Sequence, residues 1–168
     1  NTLADVDGLG TISYEWQAST NGTTWSPIVG ASGSSFTPAL AQVGLQLRAV
    51  ARWTDGQGTA EAVPSPATAS VLGRVNGTIG VDVLTGSAFA DRLDGLDGND
   101  RLKGSGGNDQ LNGGPGLDSA SYSRARADYQ VGSGGTSVQA LAGDEGRDSL
   151  DSIERLLFSD QSLAFDVY

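Results

Sequence analysis

Between residues 12 and 19 the chain alternates apolar and polar side chains, with Ile12, Tyr14, Trp16 and Ala18 on one parity and Ser13, Glu15, Gln17 and Ser19 on the other. A period of two sets one face of an extended strand against a core, so a β-strand is expected here. Asn21-Gly22 follows as a tight-turn signal, with Trp25 and Ile28 on the returning chain. A second alternation sets Leu45, Leu47, Ala49, Ala51 and Trp53 against Gln46, Arg48, Val50 and Arg52, and it stops at Asp55-Gly56. A last short strand is expected within residues 59–63. Short alternating strands divided by turns predict an antiparallel sandwich over residues 1–72. Tyr14, Trp16, Trp25 and Trp53 read as core or inter-strand packing rather than as a ligand platform.

Past the Pro64-Ser65-Pro66 stretch the period changes. Residues 73–76 read as a linker, and from Gly77 onward the same residue types return every nine positions. Gly recurs at 77, 86, 95, 104 and 113; Asp at 82, 91, 100, 109 and 118; Leu at 84, 93, 102 and 111, with Ala120 in the last place. Five nonapeptides therefore fill residues 77–121 without gaps. Glycines at the first and fourth positions let six residues close into a tight loop, and the next three form a short strand whose central Leu points inward. Nine residues then complete half a turn of a right-handed coil, so loops 18 residues apart stack on one side.

Stacked at the inter-strand spacing of about 4.8 Å, successive Asp carboxylates repel one another unless a cation lies between them. Carboxylate and carbonyl oxygen, without nitrogen or sulfur, is a hard donor set in a flexible cage, which favours Ca²⁺ over Mg²⁺. A Gly/Asp/Asn-rich stretch is commonly a disordered linker. A linker, however, has no use for Leu every nine residues in phase with Asp.

Composition narrows the chemistry further. The 168 residues contain no Cys and no His. Disulfides, Cys/His zinc sites, Cys nucleophiles and Ser-His-Asp relays are thereby excluded, and the chain reads as non-catalytic. Twenty acidic residues against ten basic ones leave a net charge of −10, which disfavours nucleic acid as a partner. Residues 1–72 carry −3 of that charge (five acids, two Arg) and residues 73–168 carry −7 (fifteen acids, eight bases). No run of apolar residues is long enough to span a membrane, and Asn1 to Asp5 lack the features of a secretory signal peptide.

Two resemblances attach to these residues. Tyr14-Glu15-Trp16-Gln17, Asn21 to Trp25 and Val43 to Arg48 resemble the bacterial immunoglobulin-like repeats of large secreted and surface proteins. Members of that group usually have strands ahead of a segment such as Asp5 to Gly10, which implies a piece of a longer chain. Gly95 to Lys103 and Gly104 to Asn112 resemble the GGxGxDxUx nonapeptides of the repeats-in-toxin (RTX) family, also called hemolysin-type calcium-binding repeats.

The second resemblance implies a parallel β-roll holding two to three calcium ions. One ion is implied at the carbonyls of Leu96, Gly98, Gly113 and Pro115 with the carboxylates of Asp100 and Asp118. A second is implied at Ser87, Phe89, Gly104 and Gly106 with Asp91 and Asp109, although Phe89 replaces the usual Gly. A third is implied at Thr78, Gly80, Gly95 and Asp97 with Asp82 and Asp100, so that Asp100 is shared. Binding and folding should then be coupled.

After Ser121 the period fails. Residues 129–131 and 136–141 read as a hairpin, Gly143 to Leu150 briefly recovers the loop pattern with Asp148 in a structural role, and Ile153, Leu156, Leu157, Phe158, Leu163 and Phe165 supply apolar density. Residues 122–168 are therefore expected to cap the open end of the roll. Gly146 to Asp160 also resembles the tails that follow RTX repeats in secreted bacterial proteins. Asp166-Val167-Tyr168 only loosely resembles a type I secretion ending, and no signal is assigned there.

The expectation for the whole is an all-β chain: an Ig-like sandwich, a β-roll and a β cap. Its expected function is that of a non-catalytic calcium-binding module of a type I secreted bacterial protein, located outside the cell or on its surface. The alternatives are an adhesin module for a glycan or cell surface, and an accessory tail of a secreted enzyme such as a protease, lipase or peroxidase. The secretion machinery is an implied partner.

Overall fold

The computed structural model describes residues 8–165; the Asp5 to Asp7 part of the first segment and Asp166-Val167-Tyr168 lie outside them. The described residues are all-β, with short 3-10 turns and no α-helix, and none is long and apolar enough to cross a membrane. The chain divides into two compact units, Asn1–Val71 and Leu72–Tyr168.

The first unit is built on β1 (Ser13–Ser19), β2 (Ser26–Pro27), β3 (Gln46–Thr54) and β4 (Ala60–Pro64), all antiparallel in the order β2-β1-β3-β4. Its turns follow the side chains expected of them. Asn21 Oδ1 accepts the Thr23 and Thr24 N–H groups at 2.9 Å, and Asp55 Oδ1 accepts those of Gln57 and Thr59 at 2.9 and 2.7 Å. The register puts Tyr14 opposite Ala51, Trp16 opposite Ala49 and Ala18 opposite Leu47, so the apolar parities of both strands share a face.

That face buries Leu47, Ala51 and Trp53 on β3 and leaves Tyr14, Trp16 and Ala18 on β1 half-buried, with Trp16 against Phe36 and Trp16 Nε1–H donating to Gly33 O at 3.0 Å. The opposite face buries Gln17, which accepts the Arg48 Nε–H at 2.8 Å, while Arg48 lies over the Trp25 ring. Among the described residues this unit holds a single sheet, and the second layer that a sandwich needs is not seen in them. The Pro64 to Val71 stretch is tied down along β3, with Ser65 and Thr68 N–H donating to Ala49 O and Leu47 O.

The second unit contains two sheets wound alternately. Strands β5 (Gly73–Asn76), β7 (Asp91–Asp94) and β9 (Gln110–Asn112) run parallel in one; β6 (Val83–Thr85), β8 (Arg101–Lys103) and β10 (Ser119–Ser121) run parallel in the other. The expected linker at 73–76 is thus a strand, because Val75 falls at the Leu position of the repeat and pairs in register with Leu93. Between the sheets, Leu84, Leu102 and Ala120 from one side meet Leu93 and Leu111 from the other. Leu93, Leu102 and Ala120 are fully buried.

Ser121 does not end the roll. After β11 (Tyr129–Val131) and β12 (Ser137–Ala140), which form an antiparallel pair, β13 (Arg147–Asp151) returns parallel to β9 and β14 (Arg155–Leu157) parallel to β10. Leu150 and Leu156 then continue the two Leu columns, opposite Leu111 and Ala120. The segment expected only as a cap therefore supplies roll strands as well. Capping itself falls to β11 and β12 on one sheet and to β15 (Ser162–Ala164), antiparallel to β14, on the other. Tyr122, Tyr129 and Phe158 close the end of the core with ring centroids 5.1 to 5.6 Å apart.

Candidate metal centre

Each Asp of the repeat stands at the end of a loop, just before a strand, and is locked there by the Asp of the neighbouring turn. Asp82 N–H donates to Asp100 Oδ1 at 2.8 Å, Asp91 N–H to Asp109 Oδ1 at 2.9 Å, and Asp100 N–H to Asp118 Oδ1 at 2.6 Å. These bonds join residues 18 apart and build two ladders, 82/100/118 on one side and 91/109 on the other. Asp100, Asp109 and Asp118 are 1%, 2% and 0% exposed.

The second oxygen of each is where the chemistry lies. Asp100 Oδ2, Asp109 Oδ2 and Asp118 Oδ2 are buried and have no hydrogen-bond partner. The ion pairs of the described residues are Arg52–Glu15, Arg74–Asp94 and Arg92–Asp94, none of which reaches a ladder carboxylate. A buried carboxylate oxygen without hydrogen bond or counter-charge costs several kcal/mol, on the order seen for any unpaired buried charge. Such oxygens on both sides of the roll, two on the Asp100/Asp118 side and one at Asp109, fit bound cations.

Around them the loops bring backbone oxygen close. The fourth-position glycines are forced by this approach: Gly98 (φ +145°) and Gly116 (φ +150°) leave room for Gly80 O and Gly98 O respectively, where a Cβ would collide. Gly107 packs likewise against the Phe89 carbonyl, and Gly77, Gly86 and Gly95 against the carbonyls of Gly95, Gly104 and Gly113. Leu96 and Ser105 take positive φ, 72° and 79°, matching Gly114 at 95°, whose α-carbon abuts Leu96 O. Pro115 O accepts the Gly98 N–H and Ser87 O the Gly106 N–H, both at 3.0 Å, which leaves each carbonyl a second lone pair. The Asp97 side chain is exposed.

No three Asp or Glu side chains converge among the described residues, so an ion between turns must draw most of its oxygens from carbonyls. A family model for the RTX calcium-binding nonapeptide repeat, four copies long, matches residues 76–111 and again 85–120. Residues 76–120 are RTX calcium-binding nonapeptide repeats. RTX nonapeptides bind Ca²⁺, in agreement with the all-oxygen donor set described above.

No curated protein matches the chain. Among solved structures, the crystal structure of the extracellular lipase LipA from Serratia marcescens is similar at 26% identity over 52% of this chain, with a TM-score of 0.45. The match spans 15% of the LipA chain.

The RTX loops are not equivalent. In the first turn Thr78 N–H and hydroxyl donate to Asp82 Oδ2 at 2.7 and 2.9 Å, and Ser87 does the same for Asp91 Oδ2 at 2.5 and 2.8 Å. The second oxygens of Asp82 and Asp91 are thus already held by donors, whereas those of Asp100 and Asp118 are not. Burial pushes Asp109 up to about 6, helped by the charge of Asp91, and raises Asp118, helped by Asp100 and Glu154.

Both ladders run beyond the RTX match. Asp109 N–H donates to Asp148 Oδ1 at 3.0 Å and Asp118 N–H to Glu154 Oε2 at 2.7 Å. Burial, with the charges of Asp109 and Glu145 behind it, lifts Asp148 to about 7. The signal for Asp148 was present in the Gly146-x-Asp148-x-Leu150 spacing, which copies Gly98-x-Asp100-x-Leu102, but residues 122–142 interrupt the count. Glu154 keeps only the acid-x-Leu spacing with Leu156.

Proposed function

We propose that this chain serves as a non-catalytic, calcium-ordered module of a type I secreted bacterial protein, folding outside the cell where calcium is plentiful. The observation that carries the reading is the set of three buried, unpartnered oxygens, one on each of Asp100, Asp109 and Asp118. Each belongs to the later turn of one of three expected ions. One ion takes Asp100 and Asp118 with the carbonyls of Leu96, Gly98, Gly113 and Pro115. Another takes Asp91 and Asp109 with Ser87, Phe89, Gly104 and Gly106. The last takes Asp82 and Asp100 with Thr78, Gly80, Gly95 and Asp97.

The Asp100/Asp118 site fills first, because neither of its carboxylates is already held by a Thr or Ser donor. The immunoglobulin-like resemblance of residues 1–72 supports a spacer role for the first unit. Calcium titration of the chelated chain, followed by circular dichroism and calorimetry, tests the reading. A cooperative gain of β signal with two to three ions bound supports it; a spectrum indifferent to calcium and chelator refutes it.

A further inference from the structure

The loop that precedes β13 repeats the geometry of the RTX loops and then departs from it. Arg147 N–H donates to Asn108 Oδ1 at 2.8 Å, as Leu117 N–H does to Asn99 Oδ1 at 2.9 Å. Asp144 O accepts the Gly107 N–H at 2.8 Å, as Pro115 O accepts that of Gly98 at 3.0 Å. These matches make Asp144 the counterpart of Pro115 and Ala142 the counterpart of Gly113, with Glu145 as one additional residue. Gly143, at φ +82°, then coincides with Gly114 at +95°. By this correspondence the Asp109/Asp148 level is one more place where an ion would sit, with Ala142 O among its ligands.

Side chains of the 122–142 excursion already hold those acceptors. Arg124 Nη1–H donates to Ala142 O at 2.8 Å, and its guanidinium occupies the space beside Gly143 that a Cβ would need. Tyr129 OH accepts the Arg124 backbone N–H at 3.2 Å and donates to Glu145 Oε2. The Tyr122 hydroxyl is buried without a hydrogen-bond partner, near enough to the Asp148 carboxylate to favour its charged form. Among the described residues, no other loop of the roll has a carbonyl that accepts an arginine side chain.

We propose that Arg124, Tyr122 and Tyr129 are a built-in substitute for a calcium ion at the Asp109/Asp148 level, keeping the last loop ordered without metal. The assignment of that level rests on the ion-site reading above. Its physical content is that donors attached by covalent chain cannot be removed by a chelator, whereas the ions on the other levels can.

The test is hydrogen exchange on the full chain in EDTA, paired with calcium stoichiometry by calorimetry. Amides of residues 142–150 should stay protected at least about tenfold above those of residues 95–109 without calcium, and Arg124→Met should erase that difference. Asp148→Asn should leave the number of bound ions unchanged. A wild-type ion that Asp148→Asn removes would overturn the proposal, as would uniform exchange across both segments in EDTA. If no calcium binds at all, the ion-site reading fails, while exchange in EDTA still decides whether the last loop is held by its own side chains.

Discussion

Replacing Asp100 by Asn keeps the shape of the side chain and an oxygen to accept the Asp82 N–H, but it removes one negative charge from the middle of a ladder. In the calcium-free chain that charge faces Asp82 and Asp118, each one turn away. Two unit charges at the inter-strand spacing of roughly 4.8 Å repel by about 3.5 kcal/mol at an effective dielectric of about 20. Solvent at the half-exposed Asp82 reduces its share, so a gain of at least about 3.5 kcal/mol for the ion-free fold is expected. With calcium the sign reverses. Depriving a buried charge of its partner costs about 3 kcal/mol or more, so each of the two levels that share Asp100 should lose at least about 100-fold in affinity.

The variant should therefore hold more β structure in EDTA and need far more calcium to complete folding. Circular dichroism against free calcium, with urea melts at both ends of the titration, reads both effects. A calcium midpoint within about threefold of wild type would refute the shared-ligand argument, because a threefold change is well under 1 kcal/mol.

Acidity should act in opposite directions with and without the ion. Asp109 and Asp148, raised to about 6 and about 7 by burial, bind protons more tightly folded than unfolded. In EDTA the roll should thus gain stability as pH falls through 7 toward about 4 and lose it as pH rises, whereas in calcium acidification should weaken it by competing for Asp109; urea midpoints across that range decide the sign. Leu102→Ala, at a fully buried position, should cost about 3 kcal/mol of the calcium-loaded fold and shift the calcium midpoint upward, while Leu117→Ala, at an exposed one, should change neither. Gly116→Ala puts a methyl group where Gly98 O stands and keeps a φ of +150°, so a loss of at least about 2 kcal/mol in thermal unfolding is expected.

The nine-residue phase of Leu, Asp and Gly was sufficient to read the repeating half of the molecule, because each residue type answers a separate demand at its position: inward packing, charge at the loop end, and room for a carbonyl. What the phase could not reveal was its own continuation. Val75 and Leu150 occupy Leu positions, yet Val75, nine residues before Leu84, has no Gly/Asp loop ahead of it to mark it, and Leu150 follows a 21-residue excursion (122–142) that puts it out of count with Leu84 to Leu111. Asp148 was visible as a copy of the motif but not as a rung, since its bond to Asp109 joins residues 39 apart. In the first unit the alternation of Tyr14, Trp16 and Ala18 located β1 and its register with β3. It could not show that Gln17 and Ser19 are the more buried set, because that depends on what Arg48, Asn21 and the loops lay over each face.

The way β13 rejoins β9 has a consequence for how such a chain can be altered. A half-turn of the roll is hydrogen-bonded to the half-turns above and below it rather than to the ones it follows in sequence, and only the covalent backbone and the packed Leu side chains join the two sides. Extra chain spliced between half-turns therefore leaves every rung intact, provided the chain re-enters on the opposite sheet, as it does after Ala142. The corner after Ser121 is in this sense a natural port for cargo, where the length of the insert costs only slowly growing closure entropy.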